Sequence, residues 1–167
     1  MADLLIHSVS EFSELILEAL TLADARNVVE IGAEYGGMSA LLAEHCRTRE
    51  GLFTTIDPAP KREFRDWLSA NPDVRHLAKT SLDAFGELGE ADAWIVDGDH
   101  NWYTVYHELR QIEAISRRDG NRFWSFFTMS DGRAGAATPI TRPNKFLRST
   151  GIPIASTRAQ SWIRQPW

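Results

Sequence analysis

A chain of 167 residues, 43% hydrophobic and 25% charged, has the composition of one soluble globular domain, long enough to bury a single core. Its net charge of -5 argues against a nucleic-acid partner held by a basic surface, and its single cysteine, Cys46, excludes an internal disulfide or a multi-cysteine metal cluster. The opening "MADLLIHSVSEF" lacks the basic and apolar regions of a signal peptide, and no apolar run reaches membrane-spanning length, so a cytoplasmic protein without membrane contact is expected.

In chain order, the first predicted element is an amphipathic helix over 8–22. Ser8 and Glu11 offer a capping box, and Phe12, Leu15, Ile16 and Leu20 share one face. "NVVEIG" is a short apolar strand ending at glycine. A helix over "GGMSALLAEHCRTR" follows, with Met38, Leu41, Leu42 and either His45 or Cys46 turned inward. "GLFTTIDPAP" predicts a second strand stopped by Pro58, "KREFRDWLSA" a short helix and "DVRHLAKTS" a third strand. "ADAWIVDGDH" predicts a fourth strand, and "NWYTVYHELRQIEAIS" a helix of 3.6-residue periodicity. Strands alternating with helices at this spacing imply right-handed βαβ crossovers, hence an α/β, Rossmann-like doubly wound sheet, mostly parallel. In such sheets ligands bind beyond the carboxyl ends of the strands, where the strand order switches.

Two strand ends carry chemistry. In "VVEIGAEYGGMSALLAEH", Glu30 lies in the strand, Gly32 at its exit and Gly36-Gly37 at the mouth of the helix. Glycine there permits positive φ and close approach of a ligand to backbone, and the helix start offers N–H groups. A tight strand-to-helix turn would also account for the glycines. The spacing is neither that of a dinucleotide loop nor that of a P-loop. Twenty residues beyond Gly37, the second strand ends in Asp57, an acid placed to accept ribose hydroxyls. At the fourth strand end, "WIVDGDHNWYTVYHELR" delivers Asp97, a turn at Gly98, then Asp99 and His100. Histidine is the residue type suited to general-base work near neutrality, and aspartate can ligate Mg²⁺ or hold a loop. A helix cap beside a solvated imidazole is the competing reading. Tyr103, Tyr106 and Leu109 are expected in the core, and Glu108 and Arg110 on a solvated face.

"VEIGAEYGG" followed by a strand-ending "IDP" resembles the class I S-adenosylmethionine-dependent methyltransferases. The resemblance implies that Gly32 and Gly36 frame the methionine part of the cofactor, with Glu30 supporting the loop. It further implies that Asp57 binds the ribose, and that Ser81 and Leu82, in "KTSLDAF", lie near the adenine. "DGDHNWYTVYHELR" is similar to the D-G-x-H pattern of a subgroup that includes sugar and natural-product O-methyltransferases and cephalosporin hydroxylase-like proteins. There the residue matching Asp97 is a metal ligand, for which Mg²⁺ is the natural ion, and the one matching His100 is the base for a small-molecule hydroxyl. A nicotinamide dehydrogenase suits the same fold class but not this glycine spacing or the Asp97–His100 turn.

The resemblance stops near residue 120. Residues 1–120 carry 11 Lys and Arg against 22 Asp and Glu, a net of -11; residues 121–167 carry 7 against Asp131 alone, a net of +6. Further metal ligands are expected at the end of the next strand, around residues 126 to 130, but "FFTMS" holds no acid. With plausible codons, "FFTMSDGR" read one nucleotide earlier becomes "HDVGWP", and the extended reading is a strand ending in His-Asp. A change of frame near Gly120–Asn121 accounts for this. The expected organisation is therefore a methyltransferase domain over 1–128 lacking its last strands, with an irregular tail over 129–167. A non-catalytic S-adenosylmethionine-binding remnant, or a truncated fragment without function, is the alternative to an active enzyme.

Overall fold

The computed structural model describes residues 9–119, 124–128 and 134–137. A six-stranded sheet runs through them in the order β3-β2-β1-β4-β5-β6. Its strands are β1 (Val28–Ile31), β2 (Phe53–Ile56), β3 (Arg75–Leu77), β4 (Ala93–Val96), β5 (Trp124–Thr128) and β6 (Ala134–Ala137). The first five are mutually parallel and β6 runs antiparallel to β5. The helices are α1 (Ser13–Leu22), α2 (Gly37–Arg47), α3 (Arg62–Ala70), α4 (Ser81–Ala84) and α5 (Trp102–Asp119). The doubly wound, mostly parallel sheet expected from the strand–helix alternation is thus present. The order switches at β1, which pairs with β2 on one side and with β4 on the other.

The central strands are buried on both faces, as parallel strands between helical layers must be. Their period-two alternation divides the core. Val28, Phe53, Ala93 and Ile95 pack with Ile16, Leu20, Met38, Leu42 and Cys46 beneath α1 and α2. Val29, Ile31, Ile56, Trp94 and Val96 pack on the opposite face with Leu77, Phe85, Leu88, Ile112 and Ile115. Trp94, 1% exposed, stacks on Phe85 with ring centroids 5.8 Å apart. Burying a side chain of this kind stabilises the fold by roughly 2–3 kcal/mol.

The same alternation puts Glu30 on the α2 face with Val28, and its register partner Thr55 with it. An acid is thereby delivered into the layer where Ser39 of α2 is also fully buried. Cys46, at 0% exposure, is the small buried helix residue expected.

Several sequence-based expectations are corrected. The helix predicted over 8–22 is a 3₁₀ turn, Val9–Phe12, followed by α1, and Ser8 lies outside the described residues. Three residues per turn in the 3₁₀ segment shift its phase against the 3.6 of α1. Val9, Ile16 and Leu20 consequently face inward, whereas Phe12 and Leu15 are exposed. Leu41 is also exposed, and both His45 and Cys46 are buried. Tyr103 and Tyr106, expected in the core, are 59% and 46% exposed; Tyr106 stacks on the exposed Trp102. The tail expected to be irregular forms a strand at Ala134–Ala137, which covers the outer edge of β5. The rest of that tail lies outside the described residues.

Candidate functional site

The site begins at the exit of β1. Gly32 has φ 88°, and a Cβ there would lie 2.5 Å from the Asp97 carbonyl oxygen, so the backbone leaving β4 passes where a side chain would stand. Gly36, φ 81°, is the left-handed residue that opens α2, and a Cβ on it would lie 2.2 Å from the Phe64 ring. Both glycines are therefore required by the turn itself, whatever else they admit. Gly37 differs: a Cβ there would meet nothing within 4 Å, and it lines the cavity beyond.

Asp57, at the end of β2, holds this loop. Its Oδ2 accepts the amide hydrogens of Ala33 at 3.1 Å and Glu34 at 2.9 Å, and its Oδ1 accepts that of Ala59 at 2.8 Å. A carboxylate has about four lone-pair sites, so roughly one remains for a ligand hydroxyl. Asp57 thus braces the loop through its backbone amides. Glu30 instead ties β1 to α2 and β2: its Oε2 accepts from Ser39 Oγ at 2.5 Å and Thr55 Oγ1 at 3.0 Å. Burial pushes its pKa from 4.5 up to about 8; the two hydroxyls oppose that shift, and Asp97 and Asp57 add to it.

The β4 end supplies Asp97, whose Oδ2 accepts the Val9 amide hydrogen at 2.8 Å. Asp99 braces the turn into α5, its Oδ1 accepting from the Asn101 amide at 3.0 Å and its Oδ2 from Thr104 Oγ1 at 2.9 Å. The cap part of the competing reading is therefore present, carried by Asp99 and by Asn101, whose Oδ1 accepts from the Tyr103 amide at 2.8 Å. His100 is half-buried between these braces.

After β3, Thr80 caps α4 by accepting the Asp83 amide, and the first residue of α4 is Ser81. Ser81 is buried, whereas Leu82 is 40% exposed.

These segments converge on one cavity of about 1030 Å³ at the carboxyl ends of the strands. Its size is at the top of the roughly 300–1,000 Å³ usual for ligand sites. Glu30, Gly32, Asp57, Ser81, Leu82, Asp97 and His100 all line it; Gly36 alone of the expected residues does not, lying instead beneath Phe64. Four separate strand ends thus bring their marked residues to one place.

Glu108 lines the same cavity and overturns the expectation of a solvated face: it is 1% exposed. Arg110, by contrast, is exposed as expected. Desolvation pushes the Glu108 pKa up to about 7; the Ser81 hydroxyl nearby opposes that and Asp99 adds to it. Neither of its oxygens has a partner in hydrogen-bonding geometry. A sequence signal for it exists, because Glu108 falls in register with Val105, Ile112 and Ile115, which form the buried stripe of α5.

The donors for the expected Mg²⁺ do not assemble. Among the described residues no group of three or more His, Cys, Asp or Glu side chains is placed to hold a metal. One oxygen of Asp97 is committed to the Val9 amide, and β5 ends in Thr128 without a carboxylate. A small hard cation needs a near-octahedral oxygen shell, and this set does not supply one.

A mostly parallel α/β sheet with a glycine-framed turn after β1, an acid closing β2 and a cavity across the switch point is the arrangement in which doubly wound folds hold a nucleotide-type cofactor. Residues 29–124 match the family described as methyltransferase domain, and the chain belongs to that class I family. No curated protein matches the sequence. Among solved structures, the chain is similar in fold to the O-methyltransferase from Bacillus cereus in complex with SAH: 20% identity and TM-score 0.58, covering 75% of this chain and 60% of that one. It is likewise similar to the SAH-bound Podospora anserina methyltransferase PaMTH1, at 16% identity and TM-score 0.58 over 69% of this chain and 50% of that one. Cofactor-bound Rv0187 from MTB shares 22% identity at TM-score 0.55, over 71% and 53%. The chain spans about half to three-fifths of the length of these structures. Among the described residues no helix is long and apolar enough to cross a membrane.

Proposed function

We propose that this chain binds S-adenosylmethionine and derives from an enzyme that methylates a hydroxyl of a small molecule. The observation that carries this reading is the convergence of the β1 loop, Asp57 and the Asp97–His100 turn on a single cavity. The residues fit such a cofactor. Gly37 leaves open the start of α2, where unpaired helix amides attract negative charge and suit the cofactor's carboxylate. Asp57 retains acceptor capacity for one ribose hydroxyl, and Ser81 and Leu82 flank the place for the adenine. When bound, the cofactor supplies a methyl group on a sulfonium centre, open to in-line displacement. The protein's part is to position the acceptor oxygen and remove its proton. His100, at the cavity wall on a turn braced through Asp99, is the group placed to take that proton. No step is assigned to a metal, because the donor set does not hold one.

A specific observation favours the non-catalytic alternative for this particular chain. The family match ends at residue 124, a few residues beyond the point where the charge balance reverses. This supports a change of frame near Gly120–Asn121, leaving the cofactor half intact and the catalytic half compromised. Calorimetric titration with S-adenosylmethionine should give a binding isotherm that Asp57→Ala abolishes; no isotherm from the wild-type chain refutes the reading. Methyl transfer to a hydroxyl acceptor, lost in His100→Ala, would favour the enzyme over the remnant. Re-sequencing the gene across codons 120 and 121 tests the frame, and an uninterrupted frame with relatives sharing "FFTMSDGRAG" rejects it.

A further inference from the structure

Glu108 is a buried carboxyl group in the wall of the cavity; neither oxygen makes a hydrogen bond of good geometry, although the Ser81 hydroxyl lies near enough to favour its charged form. Leaving such a group unsatisfied costs roughly 1–3 kcal/mol, more if it is charged, and folds retain that cost mostly where a ligand or function relieves it. Its position on α5 is fixed by Val105, Ile112 and Ile115, which share its buried stripe, so it does not swing freely to solvent. Across from it stands α4, and the Ser81 hydroxyl acts on its titration. Ser81 and Leu82 line the same cavity.

We infer that Glu108 is a specificity residue, accepting a hydrogen bond from the exocyclic 6-amino group of the cofactor's adenine. This assignment rests on the proposed cofactor and on the adenine lying beside Ser81. A carboxyl group can accept in either protonation state, through a carboxylate oxygen or its carbonyl oxygen, and the adenine ring offers its 6-amino group as the donor. An acid on the second turn of α5 therefore recognises what the backbone of the β1 loop cannot: the difference between a 6-aminopurine and a purine without that group. Glu30 and Asp57 have other partners: Glu30 Oε2 accepts from Ser39 and Thr55, and Asp57 accepts from the loop amides with roughly one acceptor site left for the ribose.

The test compares calorimetric Kd values for S-adenosylhomocysteine and for its analogue carrying hydrogen in place of the 6-amino group. The full chain should bind the analogue about threefold to a hundredfold more weakly, the range from a neutral to a charge-assisted hydrogen bond. In Glu108→Met, of similar volume, that ratio should fall to near one. The thermal midpoint of the free variant should rise, because an unsatisfied acid has been replaced by an apolar side chain. Equal affinities for the two ligands in the wild-type chain would overturn the assignment without any variant, and so would an unchanged ratio in Glu108→Met. Failure of the wild-type chain to bind S-adenosylhomocysteine at all would instead remove the cofactor reading, and this assignment with it.

Discussion

Glu30→Gln isolates the electrostatic cost of placing an acid in the α2 layer. Glu30 is 1% exposed, with Ser39 Oγ and Thr55 Oγ1 both donating to one of its oxygens. Desolvation outweighs those two bonds and raises its pKa from 4.5 to about 8. Between these values the unfolded chain releases a proton that the folded chain keeps. Stability is therefore fully present below about pH 4.5, falls as pH rises toward 8, and levels off above it. At about 1.4 kcal/mol per pH unit, the window sets a ceiling of about 5 kcal/mol. Water entering from the adjoining cavity and local relaxation reduce the expected loss to about 2–3 kcal/mol. Glutamine has no proton to lose, and its carbonyl can still accept from Ser39 and Thr55. Urea unfolding at pH 5, 6, 7, 8 and 8.5 should give wild-type and variant curves that diverge, with the variant gaining about 2–3 kcal/mol relative to wild type by pH 8.5. Titrations of Glu108, His45 and Cys46 occur in both proteins and cancel in the difference. Parallel curves would refute the reasoning, because Glu30 would then titrate as a solvated acid.

Two further outcomes follow from local geometry. Gly36→Ala forces a β-carbon into the Phe64 ring at positive φ, and should cost about 1–3 kcal/mol in thermal unfolding. Gly37→Ala, one residue on, meets open space and begins a helix, so it should be neutral or stabilising by up to about 1 kcal/mol. Equal losses in both variants would contradict this account of the turn. The Cys46 thiol is buried and pushed up to about 11 by desolvation, so a thiol reagent should label it only at the rate of unfolding; fast labelling of the folded chain would contradict its burial.

Much of the fold was legible because strand alternation and glycine exits are local signals. "VVEI", "FTTI" and "AWIV" are short apolar runs between turn residues, and each became a buried central strand. The strand ends were legible for the same reason, so Asp57, Asp97 and His100 stood out from local pattern, whereas Ser81 and Leu82 followed only from the family resemblance. Phase was less legible. The 3₁₀ turn before α1 moved Phe12 and Leu15 outward, and nothing in the composition of that segment marks where 3.0 residues per turn give way to 3.6. Tyr103 and Tyr106 look like core residues by hydropathy, but the inward stripe of α5 runs through Val105, Glu108, Ile112 and Ile115. Reading that stripe by position rather than by residue type would have placed Glu108 inside.

The sequence by itself determined the strand-and-helix alternation, the glycine turn after β1 and the acids at the strand ends, because each depends on residues close together in the chain. Only the tertiary structure decided which partner each acid finds. Asp57 reaches back to the amides of Ala33 and Glu34, Glu30 meets Ser39 and Thr55, Asp97 meets Val9, and Glu108 meets none. These pairings join distant segments, and the side a residue faces is set by register and helix phase. A change of one residue in either would redirect every one of them.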